Sequence, residues 1–336
     1  MNTMPFNFDR LSNGKVFISN LAGFHSFVDH EELHFLADNK FPPEQTTSKL
    51  LESRLFIADD ATQAVSKASL SSAFAKRLMN ELAVRPIFMI VPTLRCDHTC
   101  KYCQVSRASV TADGYDLNPE LIPQIVSTIK KLGTPPYKIE VQGGEPLLRF
   151  DLVRAIYEEC ESSLGSDAFE MVIATSLSIL DEGILSWVKE RNITFSVSLD
   201  GNEAIHNKNR ILTDSQAHNK AVTGIRKITE ELGANRVATV TTVTKELTKE
   251  PASIVDAHLS LGLTDMFIRP VSPYGFAQQQ SFTFSMPEYF EFYKKLMQEV
   301  LLQNQKGIPV VEHSASIHLK PVSYTHLRAH ETRSNL

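Results

Sequence analysis

Cysteine is scarce in this chain: four in 336 residues, with none after Cys160. That excludes a small scaffold stapled by disulfides, which would be dense in paired cysteines. Long apolar runs are missing too. The longest, such as residues 87–91, fall far short of the roughly 20 residues a membrane span needs. The first ten residues carry no basic patch followed by an apolar core, so no secretory signal is visible and a cytoplasmic location is expected. Nor is one sign of charge in large excess. Lys plus Arg number 34 against 39 Asp plus Glu, a net charge of -5, which argues against nucleic acid or an anionic membrane as the main partner. There is no internal repeat and no low-complexity segment.

What is present is an ordinary globular composition, 42% hydrophobic and 22% charged, in a chain long enough for two domains or for one large domain with an appendage. Residues 1–85 combine a short alternating segment at 16–20, an apolar stretch at 25–28 and helical patterns at 30–38 and 46–53, the pattern of a small α/β domain. From Pro86 onward, β-rich runs at 87–91, 138–142, 170–175, 194–198, 236–242 and 266–269 alternate with amphipathic stretches. The helices between them are expected to start near Pro119, Asp151, Asp181, Ser215 and Pro251, several with proline or an acidic residue in the first turn. Such alternation predicts an α/β fold in which parallel strands are joined by crossover helices. Loops at the carboxyl ends of the strands then converge on one site. A further helix at 287–304 carries an apolar face built from Tyr289, Phe290, Phe292, Tyr293, Leu296 and Val300.

Three of the four cysteines, Cys96, Cys100 and Cys103, directly follow the first of these strands with the spacing C-x3-C-x2-C. Three thiolates on one short loop can hold three corners of a four-iron cluster, leaving the fourth iron open to a small molecule. The competing reading is a structural zinc site, which wants a fourth protein ligand, with His98 or Cys160 as candidates. Cys160 lies at apolar-face spacing with Leu152, Val153 and Ile156, the setting of a buried small hydrophobe. His98 reads as a solvated loop residue.

The cysteine spacing, with the aromatic Tyr102 just before the last cysteine, resembles the radical S-adenosylmethionine (SAM) superfamily. Two further segments carry the same resemblance. Gly143-Gly144-Glu145-Pro146, ending the second strand, is similar to the superfamily's motif for the amino group of SAM. Its glycines allow close approach of a backbone edge, and a carboxylate can accept from an ammonium. Ser198-Leu199-Asp200-Gly201, followed by His206, Asn207 and Arg210, resembles a segment of the peptide-modifying members. The resemblance implies a partial (βα)6 TIM-like barrel of the radical SAM type, with a [4Fe-4S] cluster on Cys96, Cys100 and Cys103 and with SAM as the second cofactor. Tyr102, Gly143, Gly144, Glu145 and Pro146 would bind SAM, and Ser198 and Arg210 would hold its carboxylate. Thr175 and Ser176 are weaker candidates for its ribose hydroxyls. Arg269 and Pro270 fall near its adenine side.

The wording Cys103-Gln104-Val105-Ser106-Arg107, with the context of residues 90–95, resembles the His-Xaa-Ser system maturases (HxsB type). This implies a ribosomally made precursor peptide with His-Xaa-Ser repeats as substrate, a second radical SAM maturase alongside, and an electron donor. Residues 1–85 are similar in layout to winged-helix-like domains that grip leader peptides by strand addition, or else they simply cap the barrel. The barrel is expected over 86–285, and residues 286–320 look like the start of a C-terminal extension that in relatives carries auxiliary clusters. Residues 321–336 resemble translated adapter DNA and are expected to be non-native, which leaves an i, i+4 pair of His326 and His330 with little weight as a metal site. Two alternatives stand beside the maturase: a radical SAM enzyme acting on a small metabolite, and a zinc-containing peptide-binding module.

Overall fold

The structure, a computed structural model, describes residues 2–40, 42–82, 86–279 and 284–316. Two compact units divide the chain, one comprising Met1–Val84 and the segment from Ala315, the other Arg85–Ser314. The expectations for 321–336, including His326 and His330, lie outside the described residues.

In the first unit, β1 (Asn2–Thr3), β2 (Phe6–Arg10), β3 (Val16–Asn20) and β4 (His25–Val28) are followed by α1 (His30–Ala37), α2 (Gln45–Ser53), β5 (Ile57–Ala58) and α3 (Gln63–Leu82). β2, β3 and β4 form an antiparallel sheet in that order, and β1 pairs with β5. Val16 and Ile18 alternate inward on β3 and meet Val28, Leu36, Leu51, Phe56 and Ile57 in a small core. Asp29 starts α1 with a capping box: its side chain accepts from the Glu32 N–H, and the Glu32 carboxylate accepts from the Asp29 N–H. The apolar pattern does not announce α3, because its alanines and serines blur the stripe that marks an amphipathic helix.

The second unit runs β6 (Ile87–Ile90), α4 (Ile122–Leu132), β7 (Tyr137–Val141), α5 (Phe150–Leu164), β8 (Phe169–Thr175), α6 (Glu182–Lys189), β9 (Ile193–Ser198), α7 (Glu203–Asn209), α8 (Ala217–Leu232), β10 (Val237–Val243), α9 (Pro251–Leu259), β11 (Asp265–Pro270), α10 (Met286–Gln305) and β12 (Val311–Glu312). β6 to β12 form one parallel sheet in sequential order. The six expected strands are present with ends moved by a residue or so, and β12 adds a short seventh that the apolar pattern does not mark. Sequential order with crossovers of one hand places the crossover helices on one face of the sheet and curls it toward a barrel.

That geometry explains a departure from the usual parallel strand, which is apolar on both faces. Tyr137, Ile139 and Val141 on β7 match Phe169, Met171 and Ile173 on β8, and the latter two match Ile193 and Phe195 on β9; all are buried in the helix-side core. The alternate residues Glu140, Ala174, Ser196 and Ser198 are only half-buried, and they line a cavity. The inner face of the sheet surrounds that space instead of a second core.

Candidate cofactor site

The long connection from β6 to α4 carries the three cysteines and is held at four places. Its start bridges Thr93 to Asp116 and Arg95 to Ala108. The turn after β7 grips it from one side, with the Gly144 N–H donating to the Thr93 carbonyl (2.9 Å) and the Glu145 N–H to the Arg95 carbonyl (2.9 Å). At the end of α7 the Asn209 and Ile211 carbonyls accept from Lys101 N–H (3.0 Å) and Thr99 N–H (2.7 Å), and after β11 the Phe276 N–H donates to the Cys103 carbonyl (2.9 Å). Each of these contacts uses main chain.

Asp116 adds a charged brace. Its carboxylate accepts from Arg95 Nε (2.9 Å) and Nη2 (2.6 Å), from the Thr93 hydroxyl (2.6 Å) and from Arg149. Partial burial raises the Asp116 carboxyl, but these donors outweigh it and hold the group down at about 2.

Cys96, Cys100 and Cys103 open onto one cavity. Tyr102, Gly143, Gly144, Glu145, Ser198 and Arg210 share its wall. Pro146 does not; it is buried in the first turn of a short 3-10 helix. The two glycines are required sterically. A Cβ on Gly143 would lie 2.4 Å from the Thr93 carbonyl oxygen, and one on Gly144 2.1 Å from that of Arg95.

Glu145 differs from the expectation of a carboxylate free to accept an ammonium. It is 1% exposed. It already accepts from Leu147 N–H (3.1 Å), Thr175 hydroxyl (2.6 Å), Ser176 N–H (2.8 Å) and Ser176 hydroxyl (2.6 Å). The side chain therefore braces the turn to the end of β8 while Glu145, with Gly143 and Gly144, lines the cavity. The same bonds commit the hydroxyls of Thr175 and Ser176, which were expected to face a ribose.

Tyr102 and Arg210, in the wall of the same cavity, meet the buried Asp200. Tyr102 donates its hydroxyl to Asp200, and Arg210 Nη1 donates to the Tyr102 oxygen (3.0 Å). Asp200 also accepts from the Thr242 N–H (3.1 Å). Burial raises the Tyr102 hydroxyl and pushes the Asp200 carboxyl up against the pull of Arg210. Arg210 caps α7, and its Nε is buried without a partner, a donor that an anionic ligand group would satisfy. His98 also corrects its expectation: it is 1% exposed and bonds Asp97 through Nδ1 (2.8 Å). Cys160 is buried in the helix-side core, remote from any ligand role.

The donor set discriminates between metals. One tetrahedral zinc with bonds of about 2.3 Å holds its thiolates about 3.8 Å apart. Among the described residues, the group of three whose ligand atoms lie within 4.8 Å of one another is Cys96, Asp97 and His98, not the three cysteines. In that group the Asp97 carboxylate is already engaged by His98 and by the Ser178 hydroxyl (2.5 Å). A four-iron cube gives each thiolate its own iron and so suits sulfurs spread more widely. Burial raises the Cys96 and Cys100 thiols, with Glu145 adding to the effect at Cys96; bound iron would hold them as thiolates.

An open parallel sheet with a three-thiol loop and a glycine edge at its carboxyl ends defines a cofactor-dependent α/β protein. Residues 90–256 match the Radical SAM superfamily. The cofactors of that family are a [4Fe-4S] cluster and S-adenosylmethionine, and the thiols, the glycine edge and the unpartnered Nε of Arg210 fit both. A probable GTP 3',8-cyclase of Archaeoglobus fulgidus is 32% identical over 142 residues, 42% of this chain and 44% of that protein. An uncharacterised protein of Methanocaldococcus jannaschii is 27% identical over 111 residues, 33% of this chain and 37% of that one. The chain thus spans less than half the length of these curated relatives. Among solved structures, Streptococcus suis SuiB bound to its precursor peptide SuiA aligns with 93% of this chain and 72% of its own, at a TM-score of 0.54 and 13% identity. The anSMEcpe structure with bound AdoMet aligns with 68% and 64%, at 0.57 and 15%. At such identities the likeness concerns the fold.

Several site residues carry no mark in the sequence. Asp116 stands far from every motif, and Asp200 lies inside one without its partner being visible. Glu140, Gln142 and Thr242 line the cavity, and their signal is the polar half of the strand alternation.

Proposed function

We propose that the protein is a radical SAM peptide maturase acting on a ribosomally made precursor of the His-Xaa-Ser type. The observation that carries the enzymatic part is the meeting of three thiols, a glycine backbone edge and an unpartnered buried arginine donor in one cavity. With both cofactors bound, the chemistry available is reductive cleavage of SAM to methionine and a 5'-deoxyadenosyl radical, which takes a hydrogen atom from the substrate. The chain's own work is to bind and orient. Cys96, Cys100 and Cys103 hold the cluster, the Gly143–Gly144 edge accepts from the SAM amino group, and Ser198 with Arg210 holds its carboxylate. Tyr102, fixed by Asp200, forms a wall of the site. The peptide part draws support from the likeness to SuiB, which extends over nearly the whole chain. Among the described residues no further strand pairs with the outer edges of β2 and β4, which suits strand addition, so the first unit takes the leader-binding role. A second radical SAM maturase and an electron donor complete the system.

The similarity to a probable GTP 3',8-cyclase favours a second reading, a radical SAM enzyme acting on a small metabolite. The test is oxygen-free reconstitution, iron and sulfide analysis, and SAM cleavage under a reductant with either a His-Xaa-Ser precursor or GTP added. Peptide-dependent mass change supports the maturase, and GTP turnover supports the alternative. Cys100→Ala should abolish both iron retention and 5'-deoxyadenosine formation. A colourless wild-type protein holding zinc would overturn both readings.

A further inference from the structure

Arg107 follows Cys103 by four residues and lines the same cavity, yet it is missing from every role described so far. Its guanidinium lies 5.8 Å from the centre of the Phe276 ring. Phe276 is itself anchored on the thiol loop by its N–H bond to the Cys103 carbonyl. Gly275 permits that close approach, since a Cβ there would stand 2.6 Å from the Gln104 carbonyl oxygen. The ring therefore fixes the cation relative to the third cysteine. Two other arginines at the loop, Arg95 and Arg149, are paired with Asp116, and Arg149 also with Asp151. Among the described residues no carboxylate pairs with Arg107, and its Nε is buried with no partner.

A partly desolvated guanidinium lacking a counter-charge is costly unless a ligand supplies one. We infer that Arg107 is the positioning residue that makes the cluster easier to reduce, its charge held by Phe276 beside the thiolate loop. The inference rests on the cofactor reading above. An added electron makes the cluster more negative, and net charge and hydrogen bonds around the sulfurs are what set such potentials.

The test is the midpoint potential of the reconstituted full chain, followed by electron paramagnetic resonance during reductive titration without SAM. Arg107→Gln should keep wild-type iron and sulfide content while its potential falls by an amount equivalent to about tenfold in the reduction equilibrium, about 59 mV for one electron. Arg107→Lys should stay near wild type, because it keeps the charge. Phe276→Leu, which frees the guanidinium without removing it, should shift the potential in the same direction by less, and it decides the matter if Arg107→Gln cannot hold iron. An unchanged potential in iron-loaded Arg107→Gln, or equal shifts in Arg107→Gln and Arg107→Lys, overturns the inference and leaves the cofactor reading intact. Wild-type protein that binds no iron overturns both.

Discussion

Asp116 shows how much of the site rests on residues that do no chemistry. It ties the start of the thiol loop to Arg149, beside the glycine turn, through two arginines and a threonine. Its folded value of about 2 lies below the unfolded value of about 3.9. A depressed carboxyl of this kind contributes stability that is complete above about pH 4 and is lost as pH falls toward 2. With the pair partly open to solvent, Asp116→Asn should cost about 1 kcal/mol at pH 7. The gap from wild type should close between about pH 4 and 2, as read by denaturant melts across that range. Gly144 answers to sterics instead. Because a Cβ on this residue would sit 2.1 Å from the Arg95 carbonyl oxygen, Gly144→Ala must displace the thiol loop. The expected loss is about 1–3 kcal/mol, accompanied by weaker iron retention on gel filtration. The three cysteines could be picked out from spacing, and the two glycines from the resemblance of their motif, because both signals are local in the chain. Asp116 could not, since its meaning lies in partners 21 and 33 residues away.

Among the elements, the strands of the second unit were readable because one face is apolar and buried against helices while the other borders the cavity. Period-2 alternation survives where a filled barrel would have erased it. α7 was legible only as a motif. Its Asn202 cap, accepting from Ile205 N–H (3.0 Å), and its carboxyl end, which holds the thiol loop, emerge in three dimensions. β12 is two residues long and owes its existence to pairing with β11, so no local pattern could announce it. In the first unit, the reciprocal bonds of Asp29 and Glu32 make a direct prediction. Asp29→Ala should lower stability by about 1 kcal/mol, and hydrogen exchange should show the loss concentrated in α1.

At the level of the whole molecule, iron loading couples to folding, because the unfolded chain cannot present three thiolates in fixed register. Reconstituted protein should melt at a higher temperature than chelator-treated protein, by roughly 2–4 °C for each kcal/mol of net cluster binding in a unit of this size. Coincident melts in scanning calorimetry would mean that the thiols bind nothing in the folded state. Among the described residues no helix is long and apolar enough to cross a membrane, as the short apolar runs led one to expect. The sequence alone determined the parallel α/β layout through period and the thiol loop through spacing, and it marked the glycine turn by the resemblance of its motif, since each is written in neighbouring residues. The tertiary structure alone decided what the charges do: that Glu145 is a brace, that Tyr102 is fixed by Asp200 and Arg210, and that Arg107 stands uncompensated. Those pairings join groups as many as 108 residues apart, and only the closing of the sheet brings them within reach of one another.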